Sequence, residues 1–366
     1  MLPAVAAFTD TYLPTVNGVT YTVSTWRDRW AERGGRMDVV YPSADHEPAD
    51  GEHPVWSKSF PFYEGYHVAL PRVPDAVRDV DLVHTHTPFG LGLAGLRLAR
   101  KEDLPLVTNY HTPTGEYAEY VAPRGTTRLV RGSASRWERW YLNRADVIVT
   151  PSQQTASYVE DDLGVTDDVH VLPNGVDVRQ FRPTHPAAFI RRHDLPEDRP
   201  LVGYTGRQGY EKRLSDLVEA CDGLDITLVL GGDGPAREDL EELAADRDVD
   251  ARFLGFLDRD ELAEFYCALD VFAFPSPVET QGLVALEAMA CGTPVVAANA
   301  GALRDTVDDG ETGYHYPPED VDAFRATLER GLDDSSELST NCLARRDEIS
   351  VEHALDRLQA LYDDLV

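Results

Sequence analysis

Positive charge is scarce in this sequence, and lysine is scarcest of all. The 366 residues contain 34 lysines and arginines against 64 aspartates and glutamates, so the formal net charge is −30. Only three of the basic residues are lysines, namely Lys58, Lys101 and Lys212. A protein that binds nucleic acid by neutralising phosphates needs the opposite balance. The composition therefore excludes nucleic acid as a partner and argues against broad electrostatic docking on anionic lipid.

Cysteines and long apolar runs are also few. The four cysteines form no C-x-x-C pair and lie mostly inside apolar runs, which predicts buried, reduced thiols. The first apolar run stops at Asp10, and no window reaches about 18 uninterrupted apolar residues, so we expect neither a signal peptide nor a membrane span. We therefore expect a cytoplasmic protein. The acidity is spread along the whole chain and resembles that of cytoplasmic proteins from extreme halophiles.

Short apolar segments alternate with helical patterns from end to end. Apolar strands without polar alternation suit a parallel sheet that helices cover on both faces. The pattern predicts an α/β protein with two doubly wound domains, 1–174 and 175–349, and an amphipathic C-terminal helix within 350–366. Ligands of such folds bind at the carboxyl ends of the strands, so the cleft between the domains is the expected site. Predicted strands cover 4–9, 37–42, 81–86, 105–110, 146–151, 170–174, 201–206, 226–232, 252–257, 271–276 and 294–300.

The segment SPVETQGLVALEAMACGTPVV, residues 276–296, carries the sharpest signal. A predicted strand runs into a turn, and Gly282 then opens a helix whose free amides favour a phosphate. Glu287 lies on the same helix face as Leu283 and Val284, where a carboxylate can accept hydrogen bonds from sugar hydroxyls. Glu279, on the preceding loop, can reach a sugar beyond the phosphates.

Two further loops follow predicted strands of the second domain. YTGRQGYEKR, residues 204–213, places Arg207 and Lys212 at a carboxyl edge, where both can bind one diphosphate. LVLGGDGPAREDL, residues 228–240, contains Gly232 and Gly234. These glycines indicate either a plain turn or a backbone surface against a nucleotide.

The first domain has comparable positions. Asp10 follows the first strand, and Asn17-Gly18 opens a helix where backbone can pack against a ligand. His111 ends another strand, where it can bind a sugar, move a proton or serve only the structure. His84 and His86 lie two apart, so one of them should face the opposite side of the strand and belong to the core. We do not expect His84, His86 and His111 to bind a metal together, because no third potential ligand lies close to the His84/His86 pair in the sequence.

Residues 122–144 break the acidic pattern, with six arginines against Glu138 alone. Arginines interleaved with tryptophan and tyrosine are typical of a membrane-interface surface. The alternative is an amphipathic helix whose aromatics are core and whose arginines pair with neighbouring acids. The candidate surface residues are Arg128, Arg131, Arg136, Trp137, Arg139 and Trp140.

Taken together, ETQGLVALEA, GRQGYEK, PNGVD and YLPTVNGV resemble the retaining glycosyltransferases of family four, which have the GT-B fold of two Rossmann-like domains facing a central cleft. The similarity covers essentially the whole chain. NYHTPTGEYAEY, the basic helix after it and ETQG are most similar to the diacylglycerol glucosyltransferases. Arg213 departs from the family, many of whose members have glycine after the lysine.

The resemblance implies a nucleotide sugar, most often a UDP-sugar, bound by the second domain and an acceptor bound by the first. It implies that Arg207 and Lys212 hold the diphosphate, Glu287 the ribose and Glu279 the transferred sugar, with backbone contacts from Gly282, Leu283 and Val284. It places Gly18 near the phosphate and His111 by the reacting sugar. It also implies that the last helix crosses back to the first domain, that no metal or other cofactor is needed, and that the enzyme is peripheral on the inner membrane face.

Several alternatives remain at this point. Within transfer chemistry, the acceptor could be a membrane lipid, a polyprenyl-linked glycan, an exopolysaccharide or a small metabolite. Outside it, the chain could be a nucleotide-sugar epimerase or a non-catalytic nucleotide-sugar-binding protein. The presence of both glutamates, Arg207, Lys212 and His111 argues against the non-catalytic alternative.

Overall fold

Short apolar runs in the first half of the chain form a seven-stranded sheet in which all strand pairs are parallel. The computed structural model describes residues 2–59, 67–111, 127–166 and 168–366, without the side chains of 127–131. The strands of this half are β1 (Ala4–Phe8), β2 (Arg36–Pro42), β3 (Glu52–Val55), β4 (Ser57–Ser59), β5 (His67–Ala69), β6 (Leu82–Thr85), β7 (Leu106–Asn109), β8 (Val147–Thr150) and β9 (Val169–Val171). The order of the sheet is β3-β2-β1-β6-β7-β8-β9, and β4 and β5 form a separate antiparallel pair.

Helices connect these strands, and α2 (Gly90–Glu102) illustrates how closely they pack on the sheet. A Cβ on Gly95 would lie 2.7 Å from the Thr85 methyl and 3.0 Å from the Phe8 ring. Only a glycine therefore lets α2 approach β1 and β6 at this distance. The helices are α1 (Gly18–Glu32), α2 (Gly90–Glu102), α3 (Thr127–Leu142) and α4 (Gln153–Ser157), with a 3-10 turn at Asp75–Val77 and a π-helical turn at Tyr158–Asp162.

The second half forms a six-stranded parallel sheet of β10 (Leu201–Thr205), β11 (Thr227–Gly231), β12 (Ala251–Gly255), β13 (Val271–Phe274), β14 (Val295–Ala298) and β15 (Gly313–Tyr316). The order of the strands is β12-β11-β10-β13-β14-β15. This is the doubly wound order of a Rossmann fold. Its helices are α5 (Ala187–Arg192), α6 (Leu214–Cys221), α7 (Arg237–Asp246), α8 (Leu262–Ala268), α9 (Leu283–Cys291), α10 (Leu303–Thr306), α11 (Val321–Asp333) and α12 (Ser335–Ala344), with a 3-10 turn at Tyr210–Lys212.

The chain divides into two units, Met1–Asn174 with Ala354–Val366, and Gly175–His353. Most of the last helix, α13 (Val351–Asp363), therefore belongs to the first unit. Its Tyr362 is fully buried, with its ring centroid 5.6 Å from that of Trp30. Arg357 of the same helix donates to the Val171 carbonyl at 2.6 Å. The predicted α/β class with two doubly wound parallel sheets is confirmed.

Candidate functional site

Each of the two parallel sheets has one point where the strand order reverses, and several of the candidate residues lie after the strands that meet there. In the second unit, β10 and β13 are neighbours, and their following loops carry Arg207 and Glu279. In the first unit, β1 and β6 are neighbours, and their following loops carry Asp10 and His86. Ligands of open α/β sheets bind in the crevice at this reversal. The loops that carry Arg207, Glu279 and Asp10 therefore lie at the reversals, whereas Gly232, Gly234 and His111 follow other strands.

An ion pair joins the two loops of the second unit. Lys212 Nζ donates to Glu279 Oε1 at 2.5 Å, and both side chains are mostly buried. Arg207 pairs instead with Glu211, at 2.6 Å. The structure thus brings Lys212 and Glu279 together and places Arg207 on a different carboxylate. Both cations lie at the carboxyl edge of β10, where they can attract a diphosphate.

Gly282 begins α9 in a left-handed conformation, with φ of 75°. A Cβ here would also lie 2.8 Å from Leu303 Cδ2, so a larger residue would be strained and crowded. Leu283 and Val284 follow in the first turn and are half-buried. Their backbone amides are among those that an α-helix leaves without intrahelical partners, which makes this end of α9 suited to a phosphate.

Glu287 lies one turn further along α9 and is buried. Its Oε2 accepts a hydrogen bond from the Tyr266 hydroxyl at 2.8 Å, and Arg259 Nη1 lies 3.5 Å from Oε1. Burial raises the pKa of the Glu287 carboxyl, while Arg259 and Tyr266 oppose that shift. The sequence motifs predicted Glu287 but not Tyr266 or Arg259, which approach it from α8 and the loop before α8.

Gly232 and Gly234 have a packing role within the protein. A Cβ on Gly232 would lie 2.0 Å from the Gly206 carbonyl oxygen, and one on Gly234 would lie 2.5 Å from that of Gln208. The fully buried Gln208 donates from Nε2 to the Gly232 carbonyl at 3.0 Å. The loop after β11 therefore supports the loop that carries Arg207, and no side chain larger than hydrogen fits between them.

In the first unit, Asp10 holds the beginning of α2. Its carboxylate accepts from the Leu91 amide at 2.9 Å, from the Gly92 amide at 3.4 Å and from the Thr87 hydroxyl at 2.7 Å. Burial raises the pKa of Asp10, and these hydrogen bonds lower it. Asp10 therefore positions the loop after β6 through these hydrogen bonds.

Asn17 caps α1 and so determines where Gly18 lies. Its Oδ1 accepts from the Thr20 amide at 2.9 Å, while its Nδ2 donates to the Thr11 hydroxyl at 2.8 Å. Gly18 is the first residue of the helix. Beside this loop, Thr11, Tyr12 and Thr15 line a small pocket near the carboxyl ends of β1 and β2.

Three histidines form a buried stack at the carboxyl ends of β6 and β7, with His84 inside β6 and His86 and His111 after the two strands. The ring centroids of His84 and His86 are 4.4 Å apart, and those of His86 and His111 are 5.3 Å apart. The expectation that His84 and His86 face opposite sides is wrong, because side chains alternate along an extended chain and residues two apart therefore lie on the same side. His86 Nδ1 and His111 Nε2 are 3.0 Å apart, within hydrogen-bond distance. Burial lowers the pKa of all three rings, to about 4 for His84 and about 3 for His111.

Within the described residues, no group of three or more histidines, cysteines, aspartates or glutamates is arranged to hold a metal ion. None of the helices in residues 2–59, 67–111, 127–166 and 168–366 is long and apolar enough to cross a membrane.

The helix α3 has one buried and one exposed aromatic face. Tyr141 is buried and donates to the Thr85 hydroxyl at 2.9 Å, whereas Trp140 is 40% exposed. Trp137 is half-buried, stacks on Trp140 and donates from Nε1 to the Pro88 carbonyl at 2.9 Å. Arg136 and Arg139 are exposed. The side chains of the other two predicted surface residues, Arg128 and Arg131, lie outside the described residues.

Comparison with known proteins identifies the family. Residues 187–345 match the glycosyl transferases group 1, and residues 16–180 match glycosyltransferase family 4. The α-monoglucosyldiacylglycerol synthase of Streptococcus pneumoniae is 30% identical over 99% of this chain and 86% of its own length. The chain belongs to the family 4 glycosyltransferases. A GDP-mannose-dependent α-mannosyltransferase of Mycolicibacterium smegmatis is 33% identical over 88% of this chain and 86% of its own.

Solved structures agree on the fold of this glycosyltransferase. A sucrose-phosphate synthase from Thermosynechococcus elongatus superposes with a TM-score of 0.81 and 24% identity, over 99% of both chains. The architecture is therefore that of the GT-B glycosyltransferases, and the chain is an enzyme of glycosyl transfer. The same family membership argues against the epimerase and the non-catalytic binding protein.

Proposed function

We propose that this glycosyltransferase moves a hexose from a UDP-sugar to a hydroxyl of a membrane lipid, with retention of anomeric configuration. The Lys212–Glu279 pair beside the beginning of α9 is the observation that carries the proposal. It joins a cation for the diphosphate to a carboxylate for the sugar on adjacent loops. The lipid acceptor is supported by the similarity to a protein named α-monoglucosyldiacylglycerol synthase.

The donor is held by charge and by backbone amides. Breaking the sugar–phosphate bond places negative charge on the leaving diphosphate. Lys212, Arg207 and the first amides of α9 are fixed near that charge before the reaction, which is electrostatic stabilisation of the oxyanion-hole type. These groups supply positive charge without a divalent cation. Glu279 accepts from hydroxyls of the transferred sugar, and Glu287 accepts from the ribose.

The acceptor is bound by the first unit. The pocket formed by Thr11, Tyr12 and Thr15 offers hydroxyl groups to a polar headgroup. Gly18 begins α1, where backbone can pack against a ligand, and His111 can donate a hydrogen bond to a bound sugar as a neutral ring. The leaving phosphate takes the proton of the acceptor hydroxyl on the same face of the sugar, which retains the configuration without a carboxylate nucleophile. The enzyme works at the inner membrane face, with α3 as a docking element.

The deciding experiment supplies donors with and without lipid. Purified protein in 3 M potassium chloride is incubated with UDP-glucose, UDP-galactose, UDP-N-acetylglucosamine or GDP-mannose, with or without diacylglycerol vesicles. We expect one UDP-sugar to give an α-linked glycolipid, measured by mass spectrometry and by the anomeric NMR coupling. Isomerisation of the donor without any acceptor, or transfer only to soluble glycans, would contradict the proposal.

Two variants test the donor site in the same assay. Lys212→Ala and Arg207→Ala should each weaken transition-state binding by about 2–4 kcal/mol, seen in kcat/KM, because each removes one preorganised cation. Lys101→Ala is the matched control, since Lys101 is exposed and pairs with the adjacent Glu102. Turnover near wild type in either site variant would remove that residue from the donor site.

A further inference from the structure

The β4–β5 ribbon exposes an apolar face that no feature of the donor or acceptor site explains. Its antiparallel register pairs Ser57 with Ala69 and Lys58 with Val68. Continued by one position, the register places Trp56 opposite Leu70. Side chains alternate along a strand, so Trp56, Lys58, Val68 and Leu70 share one face of the ribbon. We call these four residues the ribbon face.

The ribbon face is exposed to solvent, although three of its residues are large and apolar. Trp56 is 59% exposed, Val68 56% and Leu70 62%. The opposite face of the ribbon, by contrast, packs on the protein. Ala69 is buried, and its carbonyl oxygen would lie 2.6 Å from a Cβ on Gly90, at the beginning of α2. The ribbon is therefore fixed by its small residues and presents its large apolar residues outward, which is typical of an interaction surface.

The ribbon and α3 pack against the two ends of one short segment, residues 88–90. Both elements contact the same short segment, since Ala69 lies against Gly90 and Trp137 donates to the Pro88 carbonyl at 2.9 Å. Between these two contacts lies Phe89, which is 41% exposed. The ribbon, the segment that carries Phe89 and α3 are therefore packed one against the next, and each has exposed apolar side chains.

We propose that the ribbon face and Phe89 contact the lipid bilayer together with α3, as one docking surface. This inference rests on the proposed lipid acceptor. The surface includes segments that follow β6 at the strand-order reversal of the first unit. A bilayer bound there would present lipid headgroups close to the acceptor pocket.

Charge selects a bilayer over a protein partner. In a chain of net charge −30, this surface carries Lys58, whose Nζ lies 5.7 Å from the Trp56 ring centroid, and Arg144, 3.9 Å from that of Trp140. The only carboxylate within residues 127–144 is Glu138, which is fully buried and accepts from the Tyr110 hydroxyl at 3.0 Å. Aromatic rings beside cations are the composition of a membrane interface.

Vesicle flotation tests the ribbon face. The vesicles contain phosphatidylglycerol and phosphatidylcholine at a ratio of three to seven. Trp56→Ser combined with Leu70→Ser should lower the vesicle-bound fraction about tenfold, because two exposed apolar side chains no longer enter the interface. Leu343→Ser, an exposed apolar residue of the second unit, is the matched control and should bind like wild type. Unchanged binding of the double variant overturns the proposal.

Two further measurements on the same samples distinguish failure of the ribbon-face proposal from unfolding of the variant and from failure of the proposed function. Melting temperature and turnover of a short-chain, water-dispersed acceptor should stay at wild-type values in the double variant. Absence of turnover in the wild-type enzyme would count against the proposed function, whereas unchanged flotation would count only against the ribbon face. If sedimentation shows that the variant breaks a wild-type dimer while flotation is unchanged, the face binds a second copy and the lipid assignment is overturned.

Quenching by brominated lipid tests direct contact. Trp26 and Trp30 are fully buried, so quenching arises from Trp56, Trp137 and Trp140. Trp56→Phe keeps the apolar character of the face and should remove a share of the quenching. That share should persist when Trp137→Phe and Trp140→Phe are combined. Quenching that is the same with and without Trp56 would show that the ribbon does not reach the bilayer.

Discussion

At the scale of single residues, hydrogen bonds determine which nitrogen of His111 carries its proton. Asn109 Oδ1 lies 3.0 Å from His84 Nε2, so that nitrogen donates. The amide group of Asn109 then faces His111 Nε2, at 3.4 Å, and His86 Nδ1 lies 3.0 Å from the same atom. His111 Nε2 is therefore an acceptor, and the neutral ring carries its proton on Nδ1. That proton is the one that His111 can offer to a sugar hydroxyl.

The buried rings predict a loss of stability in acid. Burial lowers the pKa of His111 to about 3, below the ordinary value of 6.5, so below pH 6.5 the unfolded chain binds more protons than the folded one. The stabilisation is complete above pH 6.5 and is lost as the pH falls towards 3, by roughly 2 kcal/mol at pH 5. Denaturant titrations at pH 7.5 and 5.0, in constant potassium chloride, measure this loss.

The comparison with His111→Asn isolates this ring. Asp10 and Glu287, whose pKa values burial raises, change stability with pH in the opposite direction but are present in both proteins. The variant should therefore lose about 2 kcal/mol less than wild type between pH 7.5 and 5.0. An equal loss in the two proteins would mean that His111 is not neutral and buried in the folded state.

At this scale, site residues within one local motif could be predicted from the sequence, whereas their distant neighbours could not. Glu279 and Lys212 could be predicted because each lies in a local motif that follows an apolar strand. Tyr266 could not be, because it contacts Glu287 from another helix, 21 residues away along the chain. Arg259 stands between two aspartates in a very acidic chain, so its own neighbours gave no reason to connect it with Glu287.

At the scale of elements, the strands with continuous apolar runs were predictable and the short polar ones were not. Eleven predicted segments correspond to strands of the two parallel sheets. β3, β4, β5 and β15 were missed, since EHPV, SKS, HVA and GYHY are only three or four residues long and lack an apolar run. Their pairing with neighbouring strands, and not their own composition, makes them strands.

Aromatic substitutions on the two faces of α3 should have different effects. Those on the exposed face should lower vesicle binding, and those on the buried face should lower stability. Trp140→Ala should lower vesicle binding in 3 M potassium chloride more than Arg136→Gln with Arg139→Gln does, because salt screens the arginines and leaves apolar contact. Adding Trp137→Ala to Trp140→Ala should lower vesicle binding further. It should also lower the melting temperature, because Trp137 donates a hydrogen bond to the Pro88 carbonyl. Flotation and thermal melts measure both quantities.

Tyr141 supplies the control for that experiment. It is 1% exposed, so Tyr141→Ala should lower the melting temperature, with the loss expected for a large buried aromatic, about 3–5 kcal/mol. If Trp140→Ala melts as low as Tyr141→Ala and still binds vesicles, then Trp140 is a core residue and α3 does not dock.

At the scale of the whole molecule, the charge excess cannot be neutralised from within. Arginines are extensively paired, for example Arg213 with Asp216 at 2.7 Å and with Glu319 at 3.0 Å. Even if every one of the 34 basic residues paired with one acid, 30 of the 64 acids would have no basic partner. The folded state therefore carries net carboxylate repulsion that only solvent ions can screen.

This excess predicts that the fold needs salt. Salt weakens exposed ion pairs, each worth up to about 1 kcal/mol, but it also screens the repulsion among the excess carboxylates, which is the larger effect at a net charge of −30. The melting temperature should rise between 0.1 and 3 M potassium chloride by about 10 °C, which corresponds to a few kcal/mol for units of this size. Circular dichroism measures the melt, and sucrose at matched osmolality is the control for excluded-solute effects. A melting temperature that rises equally in sucrose, or does not rise with salt, would show that carboxylate repulsion does not limit the stability of this fold.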